Sequence, residues 1–197
     1  MRIVLSDFMT LDGVVQAPGG AEEDTDNGFR HGGWSGPFFE PESMGGAIDE
    51  VMQGTEALLY GRRTYEVMAS AWPDRAGDPF ADRMNELPKH VASRTLSQDD
   101  LAWNNSHLLS PDDAIGAIRD LRAEPGDGAI QVWGSASLAT QLVAEDLVDE
   151  YQLMIEPVLV GGGKRIFPED GKARTLELVS VTPAKTGVLI CSYRPAN

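Results

Sequence analysis

Twice this chain passes from a short apolar run through a glycine directly into residues at helical spacing. The two places are Ala57-Leu58-Leu59-Tyr60-Gly61-Arg62-Arg63-Thr64 and Ile130-Gln131-Val132-Trp133-Gly134-Ser135-Ala136-Ser137. Strands that alternate with helices in this way build a mainly parallel sheet covered by helices. Glycine lets the backbone approach a ligand closely, and the unpaired N–H groups that open each helix bind anions. Two such turns at the carboxyl ends of strands can hold two phosphate groups of one dinucleotide. The first also carries two arginines.

The rest of the chain fits the same plan. Arg2–Asp7 reads as a buried opening strand, followed by a Gly/Pro/acid-rich loop from about Asp12 to Pro41 that holds Trp34, Phe38 and Phe39. A loop of that length inside a compact domain usually means a lid, a binding loop or disorder, and its aromatic residues argue against pure disorder. Ser43–Met52 has helical spacing, as do Arg62–Ala71 and Phe80–Leu87. Strands are expected at His90–Ser93 and Ser106–Leu109. Ser110 then reads as an N-cap, with Pro111 at the first helical position and a core stripe of Ala114, Ile115, Ile118 and Leu121. Strand Ala129–Trp133 feeds helix Ser135–Ala144. Glu150–Val160 alternates as a strand, and Thr175–Pro183 with Gly187–Arg194 forms a hairpin about Ala184–Gly187. The expected fold class is therefore α/β, mostly parallel with an antiparallel C-terminal edge, in one domain over 1–197.

Bulk properties remove several function classes. The 197 residues are enough to bury one sizeable core, and the formal net charge of −15 would repel nucleic acid and an anionic membrane surface. The single cysteine, Cys191, lies in an apolar run and reads as a small core residue. No stretch resembles a signal peptide or a membrane span, so a cytoplasmic location is expected. The three histidines are scattered without metal-ligand spacing, so no metal is expected. The G-x-G-x-x-G fingerprint and the G-x-S-x-G elbow are both missing, and Gly161-Gly162-Gly163-Lys164-Arg165 lacks the spacing of a phosphate loop.

Anion binding at helix starts remains. Arg62 and Arg63 beside Gly61 fit a bidentate phosphate clamp, or else are solvated charges on a surface helix. A cation at a helix N-terminus opposes the helix dipole, which favours the clamp. Ser93-Arg94-Thr95, at the end of another strand, is an ordinary strand exit or the reader of a further phosphate such as the 2′-phosphate of an NADP ribose.

In order, these segments resemble the dihydrofolate-reductase-like family, most closely the reductase domain of the bifunctional riboflavin-biosynthesis deaminase-reductase. Thr10-Leu11-Asp12-Gly13 is similar to its S-L-D-G turn and Gly61-Arg62-Arg63-Thr64-Tyr65-Glu66 to its G-R-x-T-[WY]-E helix start. Ser93-Arg94-Thr95-Leu96, Leu147-Val148-Asp149-Glu150, Pro157-Val158-Leu159-Val160-Gly161 and Ile166-Phe167-Pro168 match further segments. Trp133-Gly134-Ser135 stands where the family has a Gly-Gly turn, often with a cis peptide. The H-x-E…C-x-x-C pattern of the zinc deaminase domain does not occur in this sequence.

The resemblance implies a three-layer α/β/α fold with a central sheet of about eight strands. It also implies NADPH as cofactor, a small-molecule substrate and a homodimer. Carried over, Gly61, Arg62, Arg63 and Thr64 bind phosphates, Ser93 and Arg94 lie near the 2′-phosphate, and Gly134, Ser135, Ala136 and Ser137 face the pyrophosphate. Leu11, Asp12, Gly13 and Val14 border the nicotinamide. The expected reaction reduces a phosphoribosylamino-uracil to its ribitylamino form. The alternatives are a dihydrofolate or other pterin-like reductase and a non-catalytic NADP(H)-binding module. The acid that binds the pterin in true dihydrofolate reductases has no match in Ser43-Met44-Gly45-Gly46. Asp49 is then the first candidate for a catalytic pocket carboxylate, or a solvated surface charge. Asp12 is the second, or an Asx-turn brace beside Gly13. Trp34 and Phe38 form a substrate platform, or anchor their loop.

Overall fold

In a computed structural model, which describes residues 1–75 and 77–196, eight strands form one sheet. They are β1 (Arg2–Thr10), β2 (Thr55–Gly61), β3 (Lys89–Ala92), β4 (Ser106–Leu108), β5 (Ala129–Val132), β6 (Glu150–Glu156), β7 (Leu176–Pro183) and β8 (Leu189–Pro195). Their order across the sheet is β4-β3-β2-β5-β1-β6-β8-β7. All pairings from β4 to β6 are parallel, and those of β8 with β6 and β7 are antiparallel. The fold is dihydrofolate-reductase-like.

Alternation along β2 shows why the sheet is a middle layer. Ala57 and Leu59 pack into one core, with Leu138, Ala139 and Leu142 of α5 (Ala136–Ala144) and Ile118 of α4 (Ala114–Ala123). Leu58 and Tyr60 pack into the other, with Met52 of α1 (Gly46–Gln53), Tyr65 of α2 (Arg62–Ala71) and Met84 of α3 (Pro79–Glu86). A strand buried on both faces reads as a continuous apolar run, as β2 does.

A buried cation fastens one corner. Lys89, fully buried at the start of β3, donates to the carbonyls of Leu87 (2.8 Å), Asn85 (3.1 Å) and Asn104 (3.1 Å). Its Nζ also stands 4.5 Å from the centroid of the Trp103 ring. Burial holds the ammonium down at about 8.

Several boundaries differ from expectation, among them the end of β1, which runs on to Thr10 rather than stopping at Asp7. Helix α4 starts three residues beyond the expected Ser110-Pro111 entry, because the Asp113 carboxylate accepts from the Gly116 N–H (2.8 Å) and takes the capping role. Strand β6 stops at Glu156, since Pro157 has no N–H to continue the ladder. The Ser43–Met52 segment enters α1 through a wider turn at Pro41–Gly45, whose amides are capped by Glu40.

The long loop is folded down by side chains distant in sequence. The Trp34 indole N–H donates to the Gln16 carbonyl (2.7 Å), and the Ser35 hydroxyl donates to Glu156 (2.6 Å). Asp24 and Asp26 pair with both Lys164 and Arg63. No described helix is long and apolar enough to cross a membrane. No described group of His, Cys, Asp and Glu could hold a metal ion.

Candidate functional site

From β1 the chain crosses over β5 to reach β2, and from β5 it crosses over β1 to reach β6. Connections therefore leave this neighbouring pair in opposite directions, and a crevice opens beyond their carboxyl ends. The pairing of β5 with β1 stops at Val132↔Leu5, while β1 continues beside β6 to Thr10. From Ser6 onward one edge of β1 is left without a strand partner, and a cleft of about 1490 Å³ opens there.

Both glycine turns line this cleft, as do Ser93 and Arg94. The Gly61 N–H donates to the Gly134 carbonyl (3.2 Å), so the two turns are fastened to each other. Gly134 has φ of +98°, and the Gly134–Ser135 peptide is cis. A Cβ built on Gly61 would collide with the Ser135 hydroxyl and lie 3.1 Å from the Ser135 backbone nitrogen. Gly61→Ala is therefore expected to cost about 1–2 kcal/mol. Ser135→Gly in the same chain should return most of the lost melting temperature, because it removes the colliding group.

The helix starts differ in a telling way. Helices α3 and α4 begin under aspartates, Asp78 and Asp113, whose carboxylates accept from their first amides. Helices α2 and α5 have no side-chain cap and no acid in the first turn. Their free N–H groups fall on Arg62–Thr64 and Ala136–Ser137 of the cleft wall, where they suit an anion.

The arginines are not equivalent. Arg63 pairs with Asp26 (2.7 Å) and Asp24 (3.2 Å) of the loop, so it is already engaged rather than free as a clamp. Among the described residues Arg62 pairs only with Glu66 on its own helix, at 3.4 Å. Arg94 is exposed and makes no ion pair among the described residues. The Ser93 hydroxyl accepts from the amides of Thr95 (3.1 Å) and Leu96 (3.0 Å), which shapes the turn that presents Arg94.

Several expected positions lie elsewhere. Leu11, Asp12, Gly13 and Val14 do not line the cleft; the next segment, Val15–Gly19, does. Asp12 accepts from the Thr10 hydroxyl (2.6 Å) and from the amides of Gly161 (2.8 Å) and Val160 (3.3 Å). The Thr10 hydrogen bond, with those amides, holds its carboxyl below the usual range, so Asp12 is a brace with no proton to give. Leu11 points outward, 64% exposed, and Val14 is buried behind the wall. Trp34 is buried with its N–H spent on Gln16, and Phe38 packs beside Met44 and Val188. Neither forms a platform; Ser35, Gly36 and Phe39 border the cleft in their place. Asp49 lines the cleft but is exposed on α1.

The enclosed carboxyl is Asp7 on β1, which also lines the cleft. Its Oδ2 is sealed from solvent and has no hydrogen-bond partner, and burial pushes the carboxyl up to about 8. One sequence signal points to it. Ile3, Leu5 and Met9 are buried on the same alternation, so Asp7 breaks an inward stripe with an acid. One wall of the cleft is aromatic: Trp72 and Phe80 lie 5.1 Å apart between ring centroids, and Phe80 stacks on Trp133 at 6.1 Å.

The family model for the RibD C-terminal domain matches residues 2–190. The chain belongs to the RibD C-terminal domain family. Membership makes it a reductase-type oxidoreductase domain. A curated relative, the uncharacterized protein YyaP of Bacillus subtilis (strain 168), is 27% identical over 98% of this chain and 94% of its own. Among solved structures, a protein provisionally assigned to riboflavin biosynthesis from Shewanella sp. PV-4 superposes with a TM-score of 0.71 at 17% identity, covering 100% of both chains. A pyrimidine reductase-like protein from Corynebacterium diphtheriae gives 0.64 at 12% identity, covering 100% of this chain and 92% of its own. At those identities the two structures speak for the fold alone. In this RibD C-terminal domain, both glycine turns, the switch point and Asp7 share one cleft.

Proposed function

We propose that this protein is an NADPH-dependent reductase acting on a ribosylaminopyrimidine such as phosphoribosylamino-uracil. The observation that carries the reading is the pair of uncapped helix starts, α2 and α5, fastened together through Gly61 and Gly134 and facing one cleft. Two anion sites in one crevice suit the phosphates of a dinucleotide, and Gly61, lacking a Cβ, lets the two turns close on each other against Ser135. Bound there, NADPH would supply hydride. Arg94, exposed and without an ion pair among the described residues, suits a ribose phosphate and favours NADPH over NADH. Arg63 is held by Asp24 and Asp26, so Arg62 and the helix amides carry more of the phosphate contact.

The remaining cleft wall suits a flat heterocycle. Ile48, Val67 and Met68 give it an apolar side, and Trp72, Phe80 and Trp133 give it a stacking side. The chain's part in the reaction is to hold the two rings face to face and to exclude water between them.

The test is thermal shift. Millimolar NADPH should raise the melting temperature clearly more than NADH does. Arg94→Ala should bring the NADPH shift down toward the NADH shift, about a tenfold loss of affinity. No shift with NADPH in the wild-type chain would refute the proposal.

A further inference from the structure

Asp7 has an unusual position for an acid. It sits on the central strand β1, where β5 has already left the sheet, with the cleft beside it. Its Oδ2 has no partner and no contact with solvent. Buried polar atoms are normally satisfied. Asp7 is only partly buried as a residue and lines the cleft, so its carboxyl, unsatisfied within the described residues, is open to a bound molecule on that side.

We propose that Asp7 is the proton donor of this cleft, protonating the nitrogen of a C=N group, or the oxygen of its C=O tautomeric equivalent, as the adjoining carbon receives hydride. The assignment rests on the reductase reading above. Hydride from the reduced nicotinamide forms the new C–H bond, and the π electrons of the C=N or C=O bond move to the heteroatom. The Asp7 O–H bond breaks, its proton forms N–H or O–H, and the carboxylate left behind takes a proton from water through the cleft. The substrate is reduced by two electrons and the nicotinamide is oxidised by two.

The role needs a carboxyl that carries its proton near neutrality. The charged side chains on the cleft wall include Asp49 on α1, Arg62 and Arg63 on α2, and Asp24 and Lys164 from the loops. None of them shifts the Asp7 carboxyl, whose rise to about 8 comes from burial alone. A protonated carboxyl is also a hydrogen-bond donor, so it selects a substrate with an acceptor heteroatom beside the reacting carbon. A hydrocarbon alkene offers no such acceptor, and a ribosylaminopyrimidine does.

The experiment combines infrared titration with kinetics on phosphoribosylamino-uracil. Wild type should show a protonated-carboxyl band that disappears as the pH passes about 8, and Asp7→Asn should lack it. Asp7→Asn should bind NADPH within about twofold of wild type but oxidise it roughly a hundredfold more slowly. The wild-type kcat should fall above pH 8, while the residual rate of the variant stays flat across that range. An ionised Asp7 at neutral pH, a near-wild-type rate in Asp7→Asn, or no NADPH oxidation by that substrate overturns the assignment. Failure of NADPH to bind wild type sinks the reductase reading itself, and the two failures are told apart by the binding measurement.

Discussion

Raising the pH from about 4 to about 7 is expected to lower the folding stability by on the order of 4 kcal/mol. The cause is two buried carboxyls. Burial lifts Asp7 from 3.8 to about 8, and lifts Glu156 from 4.5 to about 7 against the opposing hydrogen bond from Ser35. Between the unfolded and folded values, the native chain holds protons that the unfolded chain has released. Stability is therefore full below the unfolded values and is lost as the pH rises through the folded ones. Asp26, Asp146 and Asp170 act in the opposite direction, since hydrogen bonds from Lys164, Lys172 and Arg174 depress them. Their contribution disappears only as the pH falls through their depressed values. The maximum should thus lie on the acid side of neutrality. Chemical denaturation from pH 4 to 8 should show the decline, with a shallower slope in Asp7→Asn. A flat wild-type profile would contradict the burial of both groups.

Lys89→Met is expected to destabilise the fold by about 3 kcal/mol, roughly a 10 °C loss in melting temperature for a chain of this size. Methionine reproduces most of the stem and none of the donors. The carbonyls of Asn85, Leu87 and Asn104 lose their ammonium partner, and the Trp103 ring loses its cation. The Asn85 carbonyl keeps the Asn104 side-chain amide as a donor (2.9 Å), so the penalty falls mainly on the carbonyls of Leu87 and Asn104, and the loss still exceeds that of an exposed lysine. Because the three carbonyls belong to the end of α3 and to the turn before β4, their loss should loosen that corner first. Hydrogen exchange at Lys89–Val91 and Ser106–Leu108 should rise before exchange in β1 or β5. A change under 1 kcal/mol would mean that the three bonds contribute little net stability.

The elements written in local patterns were legible. Apolar runs and helical spacing located the strands and helices to within a few residues, and the two glycine turns identified the cleft wall. Long-range placement was harder to read. Trp34 and Phe38 read as a platform from their type, yet their orientation depends on Gln16 and on Met44 and Val188. The Ser35–Glu156 bond that fixes the loop joins residues with no local signal linking them. Asp113 displaced Ser110 as a cap because either residue type can serve, and the Asp113 carboxylate is the one that accepts from a first-turn amide. Asp49 followed from an analogy of position on the first helix. Asp7 lay in a stretch already assigned to the core, and only the early departure of β5 turns that stretch toward a cleft.

The bond between Gly61 and Gly134 has a consequence for recombination. The two turns come from distant parts of the chain but share one steric allowance, in which the residue following Gly134 must leave room beside Gly61. A chimera of two family members with its crossover between them takes one side of that fit from each parent. Parents that both carry a small residue at the position of Ser135 should give foldable hybrids. A parent with a bulky residue there should donate its second half only together with its own first turn.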